Sequence, residues 1–511
     1  MNSGIIAGER ILTYPELGMQ ALKAAGGLAA LGVGEDDSVA LMLRNDFALL
    51  EANMAAGMVG AYAVPLNWHF TADEAGYILR DCAAKVLVAH ADLLPQIASG
   101  IPDSTRVFVV PTPAEIAAAY RVTAEAAALP AGRDAWSDFI AAGPPLAVPP
   151  RMSRGSMIYT SGTTGRPKGV RRKPPTQEQM DAMTQTIGAL WGLLPDPTAV
   201  VLMNGPMYHS APAAYGMSSV RQQITTVLQP RFDAEDMLRL IERHRVTHMH
   251  IVPTMFVRLL RLPDDVKRRY DLSSLRNVTH GAAPCPPEVK RAMIAWWGTV
   301  INEYYGATET GVVVWNTSEQ ALRKPGSVGT PVDGAIVRIV DEQGRDVKQG
   351  EVGEIYVSAP NLSDFTYNNA DDKRREVALG DLVTVGDIGY FDADGYLFLC
   401  DRKRDMIISG GVNIYPAEIE SQLIDMPGVR DCAVFGIPDE EFGEAICAVV
   451  QPDNGRQLGA DDVRAFLGER VARYKLPKVV EFRDELPRED SGKIFKRKLR
   501  QPYWEKAGRA I

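Results

Sequence analysis

The segment Tyr159-Thr160-Ser161-Gly162-Thr163-Thr164-Gly165-Arg166-Pro167-Lys168-Gly169-Val170 follows the strand-like run 156–158. Glycines let backbone N–H groups converge on an anion, hydroxyl side chains donate further hydrogen bonds, and a lysine adds a mobile positive charge. The segment is not a Walker A loop, because its glycines and lysine lack that spacing. A flexible Ser/Gly surface loop is the alternative, and the preceding strand and the Pro-Lys-Gly exit favour a polyphosphate site. That site would comprise Thr160, Ser161, Gly162, Thr163, Thr164, Gly165 and Lys168.

On the N-terminal side of this loop, helical and strand patterns alternate. Apolar residues at helical spacing predict helices over 14–31, 48–59 and 71–82. Short apolar runs predict buried strands over 38–43, 61–66 and 85–90. Strands separated by helices in this way indicate βαβ units and a parallel sheet that is covered on both faces.

On the C-terminal side, the alternation resumes and then stops. Strand-like runs occupy 199–203, 225–228, 247–252 and 278–280, with a helix expected to begin near Pro287. From Gly326 onward, short strands such as 336–340 and 353–357 are separated by turn sequences, including Asp392-Ala393-Asp394-Gly395. This pattern predicts an antiparallel barrel or small sheet. The charged run 401–405 is the expected boundary between a domain at 1–402 and one at 403–511.

Composition limits the function classes. The chain has 511 residues and a formal charge of −9, which argues against a nucleic-acid-binding protein. Its five cysteines have no C-x-x-C spacing and predict free thiols in a reducing compartment. The N-terminus lacks signal-peptide features, and the apolar stretch 54–66 is too short to span a bilayer. We therefore expect a cytoplasmic protein; the sequence does not distinguish a monomer from a homodimer.

Several further stretches, together with the phosphate loop, resemble the adenylate-forming superfamily. They are Gly281-Ala282-Ala283-Pro284, the run 304–310 (Tyr-Tyr-Gly-Ala-Thr-Glu-Thr), the run 385–390, the run 409–420 and the run 486–494. The superfamily includes acyl-CoA synthetases, aryl-CoA ligases, luciferases and peptide-synthetase adenylation domains. The resemblance covers essentially the whole chain. It implies an α/β fold with a large N-terminal domain of doubly wound sheets plus a small antiparallel β-barrel, followed by a small, mobile α+β C-terminal domain.

The resemblance also implies roles for the N-terminal site residues. Thr308 would contact the α-phosphate, and Glu309 would hold Mg²⁺ together with Thr163. Asp387 and Arg402 would bind the ribose. The remaining nucleotide-binding residues would be Gly281, Ala282, Ala283, Pro284, Tyr304, Tyr305, Gly306 and Ala307.

Three further positions are implied in the C-terminal part. Arg404 matches the hinge, where relatives more often carry Lys or Asp. Gly410 and Gly411 belong to the loop that would admit the pantetheine arm of coenzyme A. Lys493 matches the lysine that bridges the substrate carboxylate and the α-phosphate during adenylation. Without that match, Lys493 would only begin a basic stretch of the kind that usually forms a solvated helix face.

The acid-binding pocket is less specific. His209 occupies the place of the family's aromatic gate, and the lining near Met217, Gly311 and Val312 is small and apolar. No Asp or Arg is available there for an amino or second carboxylate group, so an aliphatic or aryl-aliphatic monocarboxylate is expected. The closest similarity is to bacterial fatty-acid-type CoA ligases. The run 171–174 (Arg-Arg-Lys-Pro) replaces the Thr-His of many relatives, and we predict no role for it.

These observations predict an ATP- and Mg²⁺-dependent acid–CoA ligase that releases AMP and pyrophosphate. Two alternatives remain open, namely an enzyme that loads a separate carrier protein and a non-catalytic nucleotide- or acyl-binding homologue. A luciferase-like oxygenase has only fold analogy in its favour. His244, His248 and His250 are interpreted as structural histidines, because no carboxylate or cysteine partner accompanies them in the sequence.

Overall fold

The computed structural model describes residues 3–160, 167–194, 196–359, 362–403, 405–409, 412–453, 456, 458–488 and 494–506. The strands are β1 Gly4–Ala7, β2 Arg10–Thr13, β3 Ser38–Met42, β4 Tyr62–Pro65, β5 Ala84–His90, β6 Arg106–Val110, β7 Ile158–Thr160, β8 Lys168–Arg172, β9 Val200–Met203, β10 Thr225–Leu228, β11 His248–Ile251, β12 Asn277–His280, β13 Ile301–Ala307, β14 Gly311–Asn316, β15 Thr330–Pro331, β16 Ile336–Val340, β17 Gly353–Ser358, β18 Phe365–Tyr367, β19 Ala378–Leu379, β20 Leu382–Val383, β21 Asp387–Phe391, β22 Leu397–Arg402, β23 Ile407–Ser409, β24 Val412–Ile414, β25 Val429–Asp439, β26 Gly443–Pro452 and β27 Val479–Phe482.

The helices between these strands vary widely in length. They are α1 Tyr14–Ala30, α2 Phe47–Met58, α3 Ala72–Asp81, α4 Leu94–Ile97, α5 Ala114–Tyr120, α6 Ala124–Ala127, α7 Trp136–Ala142, α8 Gln177–Trp191, α9 Ser210–Arg221, α10 Ala234–His244, α11 Pro253–Leu260, α12 Asp264–Lys267, α13 Pro287–Trp297, α14 Ser318–Arg323, α15 Asp371–Glu376, α16 Pro416–Ile424, α17 Ala460–Gly468 and α18 Lys496–Lys506. No described helix combines the length and the hydrophobicity that crossing a bilayer requires.

A large mixed sheet forms the centre of the N-terminal part, with the strand order β15-β14-β13-β12-β11-β9-β10-β1-β2. Its six middle strands, from β13 to β1, run parallel, and antiparallel strands close both edges. Alternate residues of β9 enter two different cores, because Val201 and Met203 pack in one and Leu202 in the other. Both faces of this sheet are therefore covered, as the sequence predicts.

A second sheet, with the order β4-β3-β5-β6, is parallel throughout. The predicted helices and strands around it are found to within one or two residues. Helix α3 begins after Thr71, whose side chain accepts a hydrogen bond from the Glu74 backbone while the Glu74 carboxylate accepts from the Thr71 backbone. This capping box explains why the predicted start is close to the observed one.

One predicted strand is displaced. The run 156–158 was expected to be the strand before the phosphate loop, but β7 spans Ile158–Thr160, and Ser156 forms only an isolated bridge with Ala63. The reason is the pairing of β7 with β8, in which Thr160 lies opposite Lys168. Thr160 therefore belongs to a strand that borders the loop.

The remaining strands form antiparallel layers, with one parallel pair. Strands β16, β17 and β19–β22 make the six-stranded antiparallel sheet that the sequence predicts after Gly326, and the run 392–395 is the turn between β21 and β22. Strands β7, β8 and β18 make a small three-stranded sheet. In the C-terminal part, β23–β27 form a sheet with β27 parallel to β26, and α16–α18 pack against it. The expected α/β fold, with its small α+β C-terminal part, is confirmed.

A buried carboxyl group in the N-terminal core makes stability depend on pH. Glu51 of α2 is 8% exposed, and its Oε2 accepts a hydrogen bond of 2.9 Å from the Trp136 indole N–H. Burial raises the pKa of Glu51 from about 4.5 to about 7. Between these two values the folded chain holds a proton that the unfolded chain has lost. The free energy of unfolding therefore falls as pH rises through this window.

We predict that Glu51→Gln stabilises the protein at pH 8, because it removes the buried charge and keeps an oxygen that can accept from Trp136. The expected gain in the free energy of unfolding is on the order of 2 kcal/mol. It is measured from the increase in the urea midpoint of the first unfolding transition. At pH 4.5, where folded Glu51 is protonated, the variant and the wild type should differ little. The exposed Glu125→Gln serves as the control, and a gain that is the same at both pH values would contradict the prediction.

Candidate active site

The phosphate loop joins β7 to β8, and only its two ends are described. Ser161, Gly162, Thr163, Thr164 and Gly165 lie outside the described residues. Strand β8 also pairs with β18, which brings Tyr367 beside the loop: the Lys168 Nζ lies 5.3 Å from the centre of the Tyr367 ring. Partial burial and the neighbouring Lys373 lower the pKa of Lys168. The lysine therefore stands at the loop exit, against an aromatic ring.

The sequence 304–310 forms the end of β13 and the tight turn that leads into β14. The ladder between the two strands shifts register at Gly306, and a Cβ built there would lie 1.9 Å from the Gly311 carbonyl oxygen. The Ala307 N–H donates to the Thr310 Oγ1 at 2.9 Å and closes the turn. Only glycine permits this approach of the two backbones, so Gly306 determines where Thr308 and Glu309 lie.

The two side chains at the centre of this turn are held by different neighbours. The Thr308 hydroxyl donates to the Ser210 Oγ at 2.8 Å, at the first residue of α9. The Tyr367 hydroxyl donates to the Glu309 Oε1 at 3.1 Å. Tyr367 consequently contacts both the predicted phosphate-binding lysine and the predicted metal-binding carboxylate. Burial and the adjacent Glu309 raise the pKa of Tyr367, so its hydroxyl remains a donor at neutral pH.

The backbone of the same turn is held by Arg172, a residue for which the sequence predicted no role. An Nη of its guanidinium donates to the Thr308 carbonyl at 2.6 Å and to the Glu309 carbonyl at 2.9 Å. The other Nη donates to the Ser363 carbonyl at 2.8 Å. Arg172 therefore connects strand β8, which follows the phosphate loop, with the Thr308–Glu309 turn and the segment before β18.

Asp387 and Arg402 meet where β21 and β22 pair. The Arg402 Nε lies 3.3 Å from the Asp387 Oδ1, and the Tyr305 hydroxyl donates to the Asp387 Oδ2 at 2.8 Å. Burial and Asp387 both raise the pKa of Tyr305. This carboxylate is 8% exposed and has a donor on each oxygen, so its position is well defined. Ribose hydroxyl groups suit such an acceptor, because each can donate to a carboxylate oxygen.

The predicted nucleotide-binding run 281–284 follows β12. A Cβ on Gly281 would lie 2.6 Å from the Tyr304 ring, and Ala282 adopts a left-handed conformation with φ +67°. Non-glycine residues rarely take that conformation, and when they do it is often at a binding site. Ala283 and Pro284 follow and lead to α13. The loop thus continues from the carboxyl end of a parallel strand, where ligands of open α/β sheets bind.

His209 lies at the start of α9, one residue before the Ser210 that contacts Thr308. Its ring centre is 4.4 Å from that of Tyr208, which packs edge-on against Trp68 at 4.6 Å. His209, the predicted gate residue, thus packs against aromatic side chains beside the second sheet and lies near the Thr308–Glu309 turn.

The C-terminal site residues fall largely outside the described chain, namely Arg404, Gly410, Gly411 and Lys493. Their flanks are described: Ser409 pairs with Val412, and Arg488 bridges to Ile494. The basic stretch after Lys493 is not simply a solvated helix face. The Lys496 ammonium lies 2.7 Å from the Glu420 carboxylate, and both side chains are at least three-quarters buried.

A metal ion would have few protein ligands in this site. Among the described residues, no group of three or more His, Cys, Asp or Glu side chains could hold one. Glu309 offers a single carboxylate to an ion. This arrangement fits Mg²⁺ held mainly by phosphate oxygens and water, since Mg²⁺ commonly takes one or two carboxylates in nucleotide sites.

Sequence reasoning missed Arg172, Tyr367 and Ser210. The relevant contacts span 136, 58 and 98 positions along the chain, respectively. No local sequence signal identified them.

Comparison with known proteins places this geometry in a family. Residues 3–364 match the AMP-binding enzyme family, and residues 418–493 match the AMP-binding enzyme C-terminal domain. The chain belongs to the AMP-binding enzyme family. The resemblance to the adenylate-forming superfamily inferred from the sequence is thereby confirmed.

The curated relatives of this AMP-binding enzyme include CoA ligases for different acids. It is 37% identical over 506 residues to a feruloyl-CoA synthase of Amycolatopsis sp., with 97% of this chain and 95% of that protein covered. It is 35% identical to an indoleacetate–CoA ligase of Aromatoleum aromaticum (96% and 93% covered) and 33% identical to a long-chain-fatty-acid–CoA ligase of Mycobacterium tuberculosis (96% and 93% covered). Such relatives identify the chain as an enzyme of the AMP-forming acid–CoA ligase type.

Solved structures agree with this family assignment. The fold is similar to ATP-bound MatB from Rhodopseudomonas palustris, with a TM-score of 0.82, 29% identity and 98% of this chain and 95% of that chain covered. It is also similar to an anthranilate CoA ligase, AuaEII, in complex with anthranoyl-AMP, with a TM-score of 0.84, 26% identity and coverage of 99% and 95%. The two similarities extend over nearly the whole chain.

We predict that Gly306→Ala destabilises the AMP-binding enzyme by at least about 2 kcal/mol, because the new Cβ would collide with the Gly311 carbonyl. Thermal unfolding measures the effect. Gly18→Ala is the matched control, since Gly18 lies within α1 with no heavy atom within 4 Å of a built Cβ. That control should be unchanged or stabilised by about 0.5–1 kcal/mol. Equal melting temperatures for the Gly306 variant and the wild type would show that the turn can relax.

Proposed function

We propose that this enzyme uses ATP and Mg²⁺ to convert an aryl-aliphatic monocarboxylic acid into its acyl-adenylate, and that it then transfers the acyl group to coenzyme A. AMP and pyrophosphate are the other products. The observation that carries the proposal is that Lys168 and Glu309 both contact Tyr367. The Lys168 ammonium lies against the Tyr367 ring, and the Glu309 carboxylate accepts a hydrogen bond from the Tyr367 hydroxyl. A mobile cation and a metal-binding carboxylate side by side are suited to a polyphosphate chain with its magnesium ion.

Activation is needed because a carboxylate is a poor electrophile. ATP supplies the adenylyl group that turns the acid into a mixed anhydride, and Mg²⁺ neutralises phosphate charge. The chain's own residues bind and orient. Lys168 attracts the phosphates, Thr308 and Glu309 present their oxygens from one turn, and Asp387 with Arg402 accepts the ribose. Holding the reacting groups in line and balancing charge from preorganised positions can account for most of the rate enhancement.

Lys493 is proposed to bridge the substrate carboxylate and the α-phosphate in the first step, and Gly410 with Gly411 to admit pantetheine in the second. We also propose that residues 1–402 and 403–511 form separate domains and that the smaller one turns about Arg404 between the two steps. The two proposed domains contact each other near this point, since the Asp401 carboxylate accepts a 2.8 Å hydrogen bond from the backbone of Ala417 in α16. That bond crosses the proposed boundary.

Two relatives support the aryl class of substrate, and an aromatic cluster whose side chains are at most 7% exposed lies next to the Gly281 loop. Behind the Gly281 loop, the ring centre of Trp191 lies 5.2 Å from that of Tyr215 and 6.4 Å from that of Tyr304. His250 joins the cluster through a 3.1 Å hydrogen bond between its Nε2 and the Tyr304 hydroxyl. The feruloyl and indoleacetate relatives favour the same class over plain fatty acids.

The test is AMP and pyrophosphate release across a panel of arylacetic, arylpropenoic and medium- and long-chain fatty acids, with and without CoA. We expect AMP release that requires CoA, fastest with an aryl acid. Lys493→Ala should lower adenylation about 10²–10³-fold, since it removes one preorganised charge from the reacting centre.

Lys498→Ala is the matched control, because Lys498 is an exposed lysine of α18 in the same basic stretch. Faster turnover of fatty acids would overturn the aryl assignment. Pyrophosphate release that ignores CoA would instead indicate a carrier-protein-loading enzyme. A Lys493→Ala variant as active as the Lys498→Ala variant would remove Lys493 from the mechanism.

A further inference from the structure

Arg172 ends β8, four residues after Lys168, and its side chain reaches the Thr308–Glu309 turn. All three acceptors that it contacts are backbone carbonyls, two in the turn and one at Ser363. The planar fork of a guanidinium can serve several acceptors in fixed directions, which a lysine ammonium cannot do equally well. Arg172 thus holds the backbone of the two residues whose side chains are proposed to meet the nucleotide.

Arg172 has no ion pair among the described residues, although the charges of Glu309 and Asp364 act on it. Among the described residues, no carboxylate lies within ion-pair distance of its guanidinium. Burial lowers the pKa of Arg172 to about 10, and the charges of Glu309 and Asp364 oppose that decrease. The side chain remains protonated at neutral pH. A cation withdrawn from water without a carboxylate partner is costly, and an anion bound nearby would reduce that cost.

The preceding arginine provides an internal comparison. The guanidinium of Arg171 forms an ion pair of 2.6 Å with Asp36, and its Nε donates to the Tyr62 hydroxyl at 3.3 Å. Successive residues of a strand face opposite sides, so Arg171 is directed away from the turn that Arg172 reaches. Of the two neighbouring arginines, Arg171 is paired with a carboxylate, and Arg172 has no such pair within the described part of the chain.

We propose that Arg172 is a positioning residue for ATP: it fixes the Thr308–Glu309 turn through the two carbonyls and provides a positive charge that the bound polyphosphate balances. This inference rests on the proposed nucleotide site and adds a residue to it. Arg172 should therefore affect the two half-reactions differently, because the polyphosphate is present only in the first.

The experiment compares Arg172→Leu, Arg172→Lys and the matched control Arg171→Leu with the wild type. Calorimetry measures the affinity for ATP with Mg²⁺, and pyrophosphate exchange gives KM for ATP and for the acid separately. A third assay supplies the acyl-adenylate and CoA and follows only thioester formation.

We expect Arg172→Leu to weaken ATP binding at least about tenfold and to lower kcat/KM for ATP about 10²-fold, with KM for the acid changed less than about threefold. Thioester formation from supplied acyl-adenylate should change less than about threefold. Arg172→Lys, which keeps the charge but not the fork, should recover about a tenth of the lost activity and should still bind ATP more weakly than the wild type. Arg171→Leu should resemble the wild type in all three assays.

Two results would overturn the inference: an Arg172→Leu variant that matches Arg171→Leu in ATP affinity, or equal losses in both half-reactions together with a lower melting temperature. If Arg172→Leu does not fold, Arg172→Lys carries the test, and an ATP affinity unchanged in that variant would then count against the proposal. Calorimetry also separates this inference from the proposed function. A wild type that binds ATP but turns over no acid would contradict the ligase assignment and leave the Arg172 comparison measurable.

Discussion

The close approach of two backbones between β13 and β14 organises the candidate site. Gly306 lies against the Gly311 carbonyl with no room for a side chain, and the strand reverses there. The reversal delivers Thr308 and Glu309 to the edge where the parallel strands of the large sheet end. It also leaves Tyr305, on the preceding strand, directed to Asp387 in the antiparallel sheet. A longer or looser connection would uncouple these two halves of the nucleotide site.

The charges of the site are distributed in a way that suits an anionic nucleotide within an acidic protein. The formal charge of the chain is −9, yet Lys168 and Arg172 both lie on β8, and Arg402 lies on β22 beside Asp387. Arg402 is paired with a carboxylate, whereas the hydrogen bonds that the described residues make with Arg172 go to backbone carbonyls. Local potential, not net charge, therefore governs what this edge of the sheet attracts.

Helices, strands and their order were predictable because local patterns determine them. The capping Thr71, the apolar run before His90 and the turn at 392–395 all lie where the sequence predicts them, to within one or two residues. The start of β7 was wrong by two residues, because pairing with β8 and not local hydrophobicity decides where that strand begins. Half-buried edge elements such as β7 have weak local signals, so their partners determine their limits.

The sequence by itself determined the α/β class, the family and the types of residue available for phosphate, ribose and metal binding, because these depend on short runs of glycine, hydroxyl and charged residues. Only the tertiary structure decided which of those residues share a neighbour. Tyr367 contacts both Lys168 and Glu309, and Arg172 connects strand β8 with the Thr308–Glu309 turn. Both connections link segments that are far apart in the chain. They arise from how the small β7–β8–β18 sheet lies against β13 and β14, and no local pattern encodes that packing.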